Sequence, residues 1–384
     1  MREGDKNMKT ALVHHWLVAQ RGGERLFDAL LDLFPDADVF TLVYDAAAAS
    51  PALLQRRVRT SFLQQWPRAT RWYPFYLPLF PRATESLDLA GYDLIVSSDA
   101  ATLKGVRAQP GAVHICYCHT PMRYVWSGYE TYRRSAGPLG RLFLPAFAEH
   151  LRRWDFEAAQ RVTHFVANSR NVAERIRRYY CRESAVIYPP VDTEFFVTDS
   201  AGEQRGEYFL AASQLVAYKR IDLIVEAFNR CGLPLVVIGE GNERARLERA
   251  AKSNIRFLGP QSAAALRSHM QAARALVFAG EEDFGIVMAE ALACGTPVIA
   301  FGRGGATEIV EHGRTGILFQ EQTADSLIRA LRECEALAFP RASLRNSALR
   351  FARGRFLQEF SERVERLTHP HRSSAMAQVT SKNR

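Results

Sequence analysis

Glu282 and Glu290 bracket the segment Asp-Phe-Gly-Ile-Val-Met-Ala, with Gly285 close behind the first carboxylate. The apolar run 275–279 (ALVFA) ahead of it predicts a buried parallel strand, and 297–301 predicts a second one behind it. A helix starting near Gly285 must fill the space between them. Two carboxylates and a glycine then flank a strand-to-helix junction, the edge at which open parallel sheets bind ligands. N–H groups of Phe284, Gly285 and Ile286 would face an anion there, because a helix N-terminus favours phosphate. Glycine lets the backbone approach such a ligand closely. Glu282 is suited to accept hydrogen bonds from a polyhydroxyl molecule, and Glu290, about two turns on, from a second hydroxyl pair. The same spacing fits an acidic loop and a surface glutamate equally well.

Other chemistry-bearing residues fall at similar junctions. Lys219 and Arg220 close the loop after the strand 208–212 and precede a helix from Asp222, where cations would meet an anion; solvated charges are the plainer reading. Gly239, in Gly239-Glu-Gly241, follows the strand 235–238, although a dinucleotide fingerprint would need a third glycine. Gly22-Gly23 reads as a turn between the strand 10–16 and a helix with Leu26, Phe27, Leu30, Leu31 and Phe34 on one face. His119 directly follows the apolar strand HICYC (114–118) and precedes a proline turn, a place where active-site groups sit. His14 and His15 end the first strand, and the sequence does not choose between them. Asp36-Ala-Asp38 has the form of an Asp-x-Asp metal motif but precedes its strand, so it reads as a turn and no metal is expected.

The elements that must position these groups alternate. In the first half, strands are expected at 10–16, 39–43, 93–97, 114–118 and, as the last, 163–168; Asn168-Ser169 caps the helix 172–180. In the second half a regular strand–helix alternation implies a parallel sheet with helices on both faces. The polar stretch 198–207 is the expected linker. Residues 56–82 break the pattern: Arg56, Arg57, Arg59, Arg68, Arg71 and Arg82 interleave with aromatics, and four prolines exclude one long helix. This is either a packed irregular insertion or a surface that dips aromatics into a bilayer while arginines meet anionic lipid.

Glu282 to Ala300, with Phe-Gly-Ile inside and Glu-Ala-Leu-Ala-Cys-Gly-Thr-Pro-Val-Ile-Ala at its end, resembles the signature of family-4 retaining glycosyltransferases of the GT-B fold. The resemblance runs from about residue 10 to residue 368 and is strongest over 205–320. It implies an α/β fold of two Rossmann-like domains facing across a cleft. The N-terminal, acceptor-side domain would span 1–197, with 345–368 packing back on it; the nucleotide-sugar-binding domain would span 198–344, and 369–384 would be a disordered tail. It further implies that Glu282 holds the donor sugar's hydroxyls, Glu290 the ribose, Lys219 the diphosphate and His119 the sugar near its 6-position. Gly22 and Gly23 would face the donor phosphate and the acceptor. The family's second diphosphate cation falls on Gln214, which carries no charge, and Arg220 is the neighbouring candidate to compensate. No cofactor or metal is implied. The Tyr-Lys-Arg-Ile-Asp loop and Cys-His-Thr-Pro-Met-Arg-Tyr resemble bacterial polysaccharide mannosyltransferases, implying GDP-mannose and a lipid-linked glycan acceptor. A UDP-sugar donor or a non-catalytic sugar-nucleotide-binding scaffold are the alternatives.

Bulk properties agree. The chain has 384 residues, 47% hydrophobic, with a formal charge of +9. That suits anionic partners such as a nucleotide-diphosphate sugar or an anionic membrane surface; no nucleic-acid motif is present, and none is expected to bind. The six cysteines are scattered, predicting buried free thiols in a reducing compartment. The polar start, with no apolar signal region behind it, predicts a cytoplasmic protein, with a peripheral place on the cytoplasmic face of the inner membrane as its extension.

Overall fold

The computed structural model describes residues 8–368 apart from 20–21, 131–132, 134–136 and 200–204. The expected disordered tail and the middle of the expected linker lie outside the described residues. The chain forms two compact units: residues up to Pro190 together with the segment from Phe356, and Val191–Arg355.

The first unit is built on a seven-stranded sheet in the order β3-β2-β1-β4-β5-β6-β7. The strands are β1 (Thr10–His14), β2 (Asp38–Thr41), β3 (Val58–Thr60), β4 (Leu94–Asp99), β5 (Val113–Cys118), β6 (His164–Ala167) and β7 (Ser184–Val186). Every pairing is parallel. The central strands are apolar on both faces, as a sheet covered by helices requires. Leu12, Leu94 and Val96 pack on one side with Leu26, Phe27 and Leu30 of the helix Gly22–Leu33. Val13 and Ile95 pack on the other with Leu63, Phe80 and Leu103. Phe356, Phe360 and Val364 of the helix Arg353–Thr368 join the first cluster. The return to this core therefore begins at Phe356, not at 345. The preceding helix, Arg341–Ala348, stays with the second unit because the Arg345 guanidinium donates to the carbonyls of Thr193, Phe196 and Ala293.

Two strands depart from the expected set. β3 and β7 are three-residue edge strands with every position half-buried, so neither shows an apolar run, and β6 is not the last strand. Beyond β3, the segment to residue 82 is a chain of short helical turns, at Phe62–Gln65, Ala69–Trp72, Tyr73–Leu79 and Phe80–Glu85. Leu63, Ala69 and Phe80 are buried, whereas Trp66, Trp72 and Phe75 are 41%, 38% and 79% exposed. The segment is thus part core and part exposed aromatic surface.

The second unit has a six-stranded sheet in the order β10-β9-β8-β11-β12-β13. Its strands are β8 (Phe209–Ala212), β9 (Leu235–Ile238), β10 (Ile255–Gly259), β11 (Leu276–Phe278), β12 (Val298–Phe301) and β13 (Gly316–Phe319), again paired in parallel. In each sheet the strand order reverses once, between β1 and β4 and between β8 and β11. At such a point the two neighbouring loops leave in opposite directions and open a crevice at the strands' carboxyl ends.

Below the β4 edge lies a buried ionic cluster. Lys104 Nζ is 3.1 Å from Asp99 Oδ2 and 2.6 Å from Asp155 Oδ1, with all three side chains fully buried. Burial raises both carboxyls. For Asp99 the Lys104 ammonium and the N–H groups of Ala101 and Leu103 outweigh burial and hold it below the usual range. Asp155 stays raised even though Lys104, Trp126 and Tyr180 all oppose burial there. The Lys104 ammonium is held well above its ordinary range despite burial, because it lies between the two carboxylates. One lysine thus ties the end of β4 to the helix Pro138–Arg161, to the loop after His119 and to the helix Arg170–Tyr180.

Candidate functional site

In the second unit, the two strands at the order reversal deliver the two principal residues. β8 runs into a loop that ends in the helical turn Ala217–Lys219 and the helix Ile221–Cys231. β11 runs into the acidic loop and the helix Ile286–Ala293. Lys219 Nζ and Glu282 Oε1 meet at 2.5 Å, with the side chains 14% and 16% exposed. The pair is partly exposed, and an ammonium beside a carboxylate offers a donor for an anionic oxygen next to an acceptor for hydroxyls.

The loop around Glu282 is held by backbone contacts. Gly285 adopts φ 92°, a left-handed conformation that favours glycine. The Gly305 N–H donates to Glu282 O at 2.8 Å. A β-carbon on Gly305 would lie 2.2 Å from Phe284 O. The Gly304-Gly305 pair, which reads from sequence only as the start of a helix (observed at Ala306–Ile309), is therefore also the backing of the Glu282 loop. The Phe284 ring is buried edge-on against Phe351, with centroids 5.3 Å apart. Ile286 opens the helix, half-buried, and its N–H is among the first-turn donors that a helix leaves without an intrahelical acceptor. Glu290 lies further along the same helix and is 3% exposed.

The remaining second-unit candidates divide. The Gly239 N–H donates to Gly259 O at 3.0 Å, which ties the end of β9 to the end of β10, and a β-carbon on Gly239 would lie 1.8 Å from Ser213 O on the β8 loop. Gln214 is exposed on the β8 loop. Arg220 has φ 55° and its guanidinium turns to Asp222 Oδ1 at 3.2 Å and Gln322 Oε1 at 3.3 Å. Gln322 in turn donates to Ala279 O at 2.8 Å, so it links the two loops. Nothing in its sequence surroundings signals that role.

In the first unit, the order reversal gathers histidines. His14 ends β1, Ser98 lies near the end of β4, and His119 follows β5. Ser98 Oγ lies 3.0 Å from His14 Nδ1 and 2.8 Å from His119 Nε2. His15 Nδ1 is 3.3 Å from Ser98 O. The His119 backbone is fixed on both sides: its N–H donates to Asp99 O at 2.8 Å, and Asn168 Nδ2 donates to its carbonyl at 3.0 Å. The helix Gly22–Leu33 begins at Gly22 itself, so the glycine pair forms the helix N-terminus instead of a turn ahead of it. Gly22 is exposed there. A β-carbon on Gly23 would sit 3.6 Å from His14 Cε1 and 3.9 Å from the His119 ring. Both His14 and His15, between which sequence does not choose, thus lie at this junction. Ser98 is the residue that sequence reading misses, since a lone serine at a strand end carries no pattern.

Asp38 of the Asp-x-Asp triplet accepts from the Tyr92 hydroxyl and lies 3.5 Å from Arg59 Nη2. Among the described residues no cluster of three or more His, Cys, Asp or Glu side chains is placed to hold a metal ion. The cysteines are unpaired; Cys116, Cys118, Cys294 and Cys334 are buried, but Cys181 is exposed and Cys231 half-buried, so the expectation of uniformly buried thiols is too broad.

Burial holds His14, His15 and His114 neutral. His14 is pushed down to about 3 by burial and the neighbouring His119, His15 to about 3 by burial and His14, and His114 to about 4 by burial. Below the unfolded-state value near 6.5 the unfolded chain binds protons that the folded chain refuses, so stability falls as pH drops. Between pH 7 and 5.5 each histidine should remove roughly 1 kcal/mol. Denaturant unfolding at the two pH values checks this, and an unchanged midpoint would show that these rings protonate in the folded protein.

A family model described as Glycosyltransferase Family 4 matches residues 20–195, and one described as Glycosyl transferases group 1 matches residues 192–350. A D-inositol 3-phosphate glycosyltransferase of Jonesia denitrificans is 29% identical over 220 residues, 49% of this chain and 52% of that protein. A GDP-mannose-dependent alpha-(1-6)-phosphatidylinositol monomannoside mannosyltransferase of Mycobacterium tuberculosis is 33% identical over 174 residues, 38% of this chain and 45% of that protein. The chain spans about half the length of the curated relatives it matches. Among solved structures, Anabaena Alr3699/HepE in complex with UDP has a TM-score of 0.70 at 19% identity, covering 93% of this chain and 100% of that one.

Proposed function

The chain belongs to the family-4 glycosyltransferases of the GT-B fold, and on that premise we propose that it moves a hexose, mannose from GDP-mannose, onto a lipid-linked or polysaccharide acceptor. The observation that carries this reading is the Lys219–Glu282 pair at the β8/β11 reversal, beside the helix that starts after Gly285. A nucleotide-diphosphate sugar needs a cation for its diphosphate and an acceptor for its hydroxyls, and this pair offers both. Glu290, on the same helix, is assigned to the ribose, and Gly22, Gly23 and His119 to the acceptor-side unit. The mycobacterial mannosyltransferase favours mannose as the sugar.

In the proposed reaction the anomeric carbon's bond to the diphosphate breaks while the acceptor oxygen attacks the same face. The departing diphosphate takes the acceptor's proton, and the configuration is retained. Lys219 and the first-turn N–H groups of the Ile286–Ala293 helix stabilise the charge developing on the diphosphate. Lys219 stands beside Glu282, Arg220 stands beside Asp222 and Gln322, and Gln214 has no charge, so the two cations share this stabilisation. No metal takes part.

The exposed aromatics of the 56–82 segment extend the proposal to where the acceptor is found. Trp66, Trp72 and Phe75 are exposed beside Arg68, Arg71 and Arg82. Amphipathic rings sit at the headgroup level, and each basic residue near anionic lipid adds about 1 kcal/mol. Among the described residues no helix is long and apolar enough to cross a membrane, so this contact would be peripheral.

Purified protein should release GDP from GDP-mannose in the presence of a membrane extract, with Glu282→Gln lowering the rate by about a hundredfold and chelator leaving it unchanged. Release from UDP-glucose or UDP-N-acetylglucosamine in its place would overturn the donor, and no release from any of them would overturn the transferase reading. The protein should float with vesicles containing phosphatidylserine, and Trp72→Ser with Phe75→Ser should abolish flotation. Equal flotation of the double variant would remove this surface from the membrane.

A further inference from the structure

Ser98 stands between two imidazoles and has one proton to give. Its Oγ is 3.0 Å from His14 Nδ1 and 2.8 Å from His119 Nε2. A hydroxyl donates once and accepts through its lone pairs. It can donate to one ring and accept an N–H from the other, or accept from both, and the open question is which. His14 decides it. The ring is fully buried, and its far nitrogen, Nε2, has no hydrogen-bond partner among the described residues and lies 3.9 Å from Glu24 Oε1, an ion-pair distance and not a hydrogen bond. A neutral imidazole carries one N–H, and which nitrogen carries it is set by what the other faces. The Glu24 carboxylate favours the proton on His14 Nε2. His14 Nδ1 is then a lone pair and takes the Ser98 proton. With that proton used, Ser98 Oγ accepts from His119, and His119 carries its proton on Nε2.

We propose that Glu24, His14 and Ser98 form a relay of positioning residues that sets the tautomer of His119, protonating it at Nε2 and leaving Nδ1 as an acceptor nitrogen. The relay joins three separate elements: the first turn of the helix Gly22–Leu33, the end of β1 and the end of β4. The His119 backbone is clamped by Asp99 and Asn168, so the ring is fixed in place as well as in protonation. Burial keeps His14 neutral, with its value near 3, and so prevents the relay from collapsing into an imidazolium with two donors. A neutral ring presenting an acceptor nitrogen matches a sugar hydroxyl and not a phosphate. That functional meaning rests on the glycosyltransferase reading, but the tautomer is a property of the unliganded protein and is measurable without any transfer reaction.

The test is long-range proton–nitrogen NMR correlation of the full chain carrying 15N-histidine at pH 7.5, with His119 assigned by its loss in His119→Gln and His14 by its loss in His14→Gln. The expected spectrum shows both rings neutral and protonated at Nε2. Ser98→Ala should convert the His119 signal to a mixture of tautomers, and Ser98→Thr, which restores a hydroxyl, should recover the Nε2–H form. Glu24→Ala should also mix the His119 tautomers, although the relay reaches His119 from Glu24 only through His14 and Ser98; a merely structural role for Glu24 predicts no such change. His119 protonated at Nδ1 or at both nitrogens in the unaltered protein overturns the proposal, and so does a His119 tautomer that Glu24→Ala leaves unchanged. If Ser98→Ala fails to fold, the unaltered spectrum and Glu24→Ala decide alone.

Discussion

A parallel sheet whose strand order reverses once can gather chemistry at one place only. Every strand-to-helix loop leaves from the carboxyl edge, and at the reversal two of them part and expose the strand ends. Both units of this protein obey that constraint. In the second, β8 and β11 are neighbours, and the loops that follow them supply Lys219 and Glu282. In the first, β1 and β4 are neighbours, and their ends supply His14 and Ser98, with His119 one strand further. Residues far apart in sequence meet because the topology leaves them no other edge.

What differs between the two gatherings is how charge is handled. The Lys219–Glu282 pair is only partly buried. Beneath the histidines, Lys104 is fully buried between Asp99 and Asp155. A cluster of that kind adds little net stability compared with apolar packing but is costly to break. Here it joins the end of β4, the helix Pro138–Arg161 and the loop that carries Trp126, so it fixes the ground on which Ser98 and His119 stand. Around it, burial keeps His14 and His15 neutral, and a neutral His14 lets a single hydroxyl order two rings.

The parts of this arrangement legible in the sequence are those that leave a pattern. The apolar runs of β11 and β12 and the acidic loop between them place Glu282 at a helix start, and the strand 235–238 is found at those residues. His119 is legible because an apolar strand runs straight into it. Three kinds of feature leave no pattern. Edge strands of three half-buried residues, β3 and β7, have no apolar run to detect. Contacts between distant backbones, such as Gly305 against the carbonyl of Phe284, show in sequence only as a glycine pair. Single polar residues that work through partners, Ser98 and Gln322 among them, have no local signature. The helix start at Gly22 is a smaller case: a glycine pair reads as a turn, yet here it enters the helix directly.

The central claim is that the Lys219–Glu282 pair is the donor site, and calorimetric titration of GDP-mannose into the full chain and into Lys219→Met tests it most directly. Loss of a charge-assisted hydrogen bond to the diphosphate is worth about 1.5–3 kcal/mol, so the variant should bind roughly ten- to a hundredfold more weakly. Equal affinity in the two proteins would contradict the claim and move the donor away from this pair.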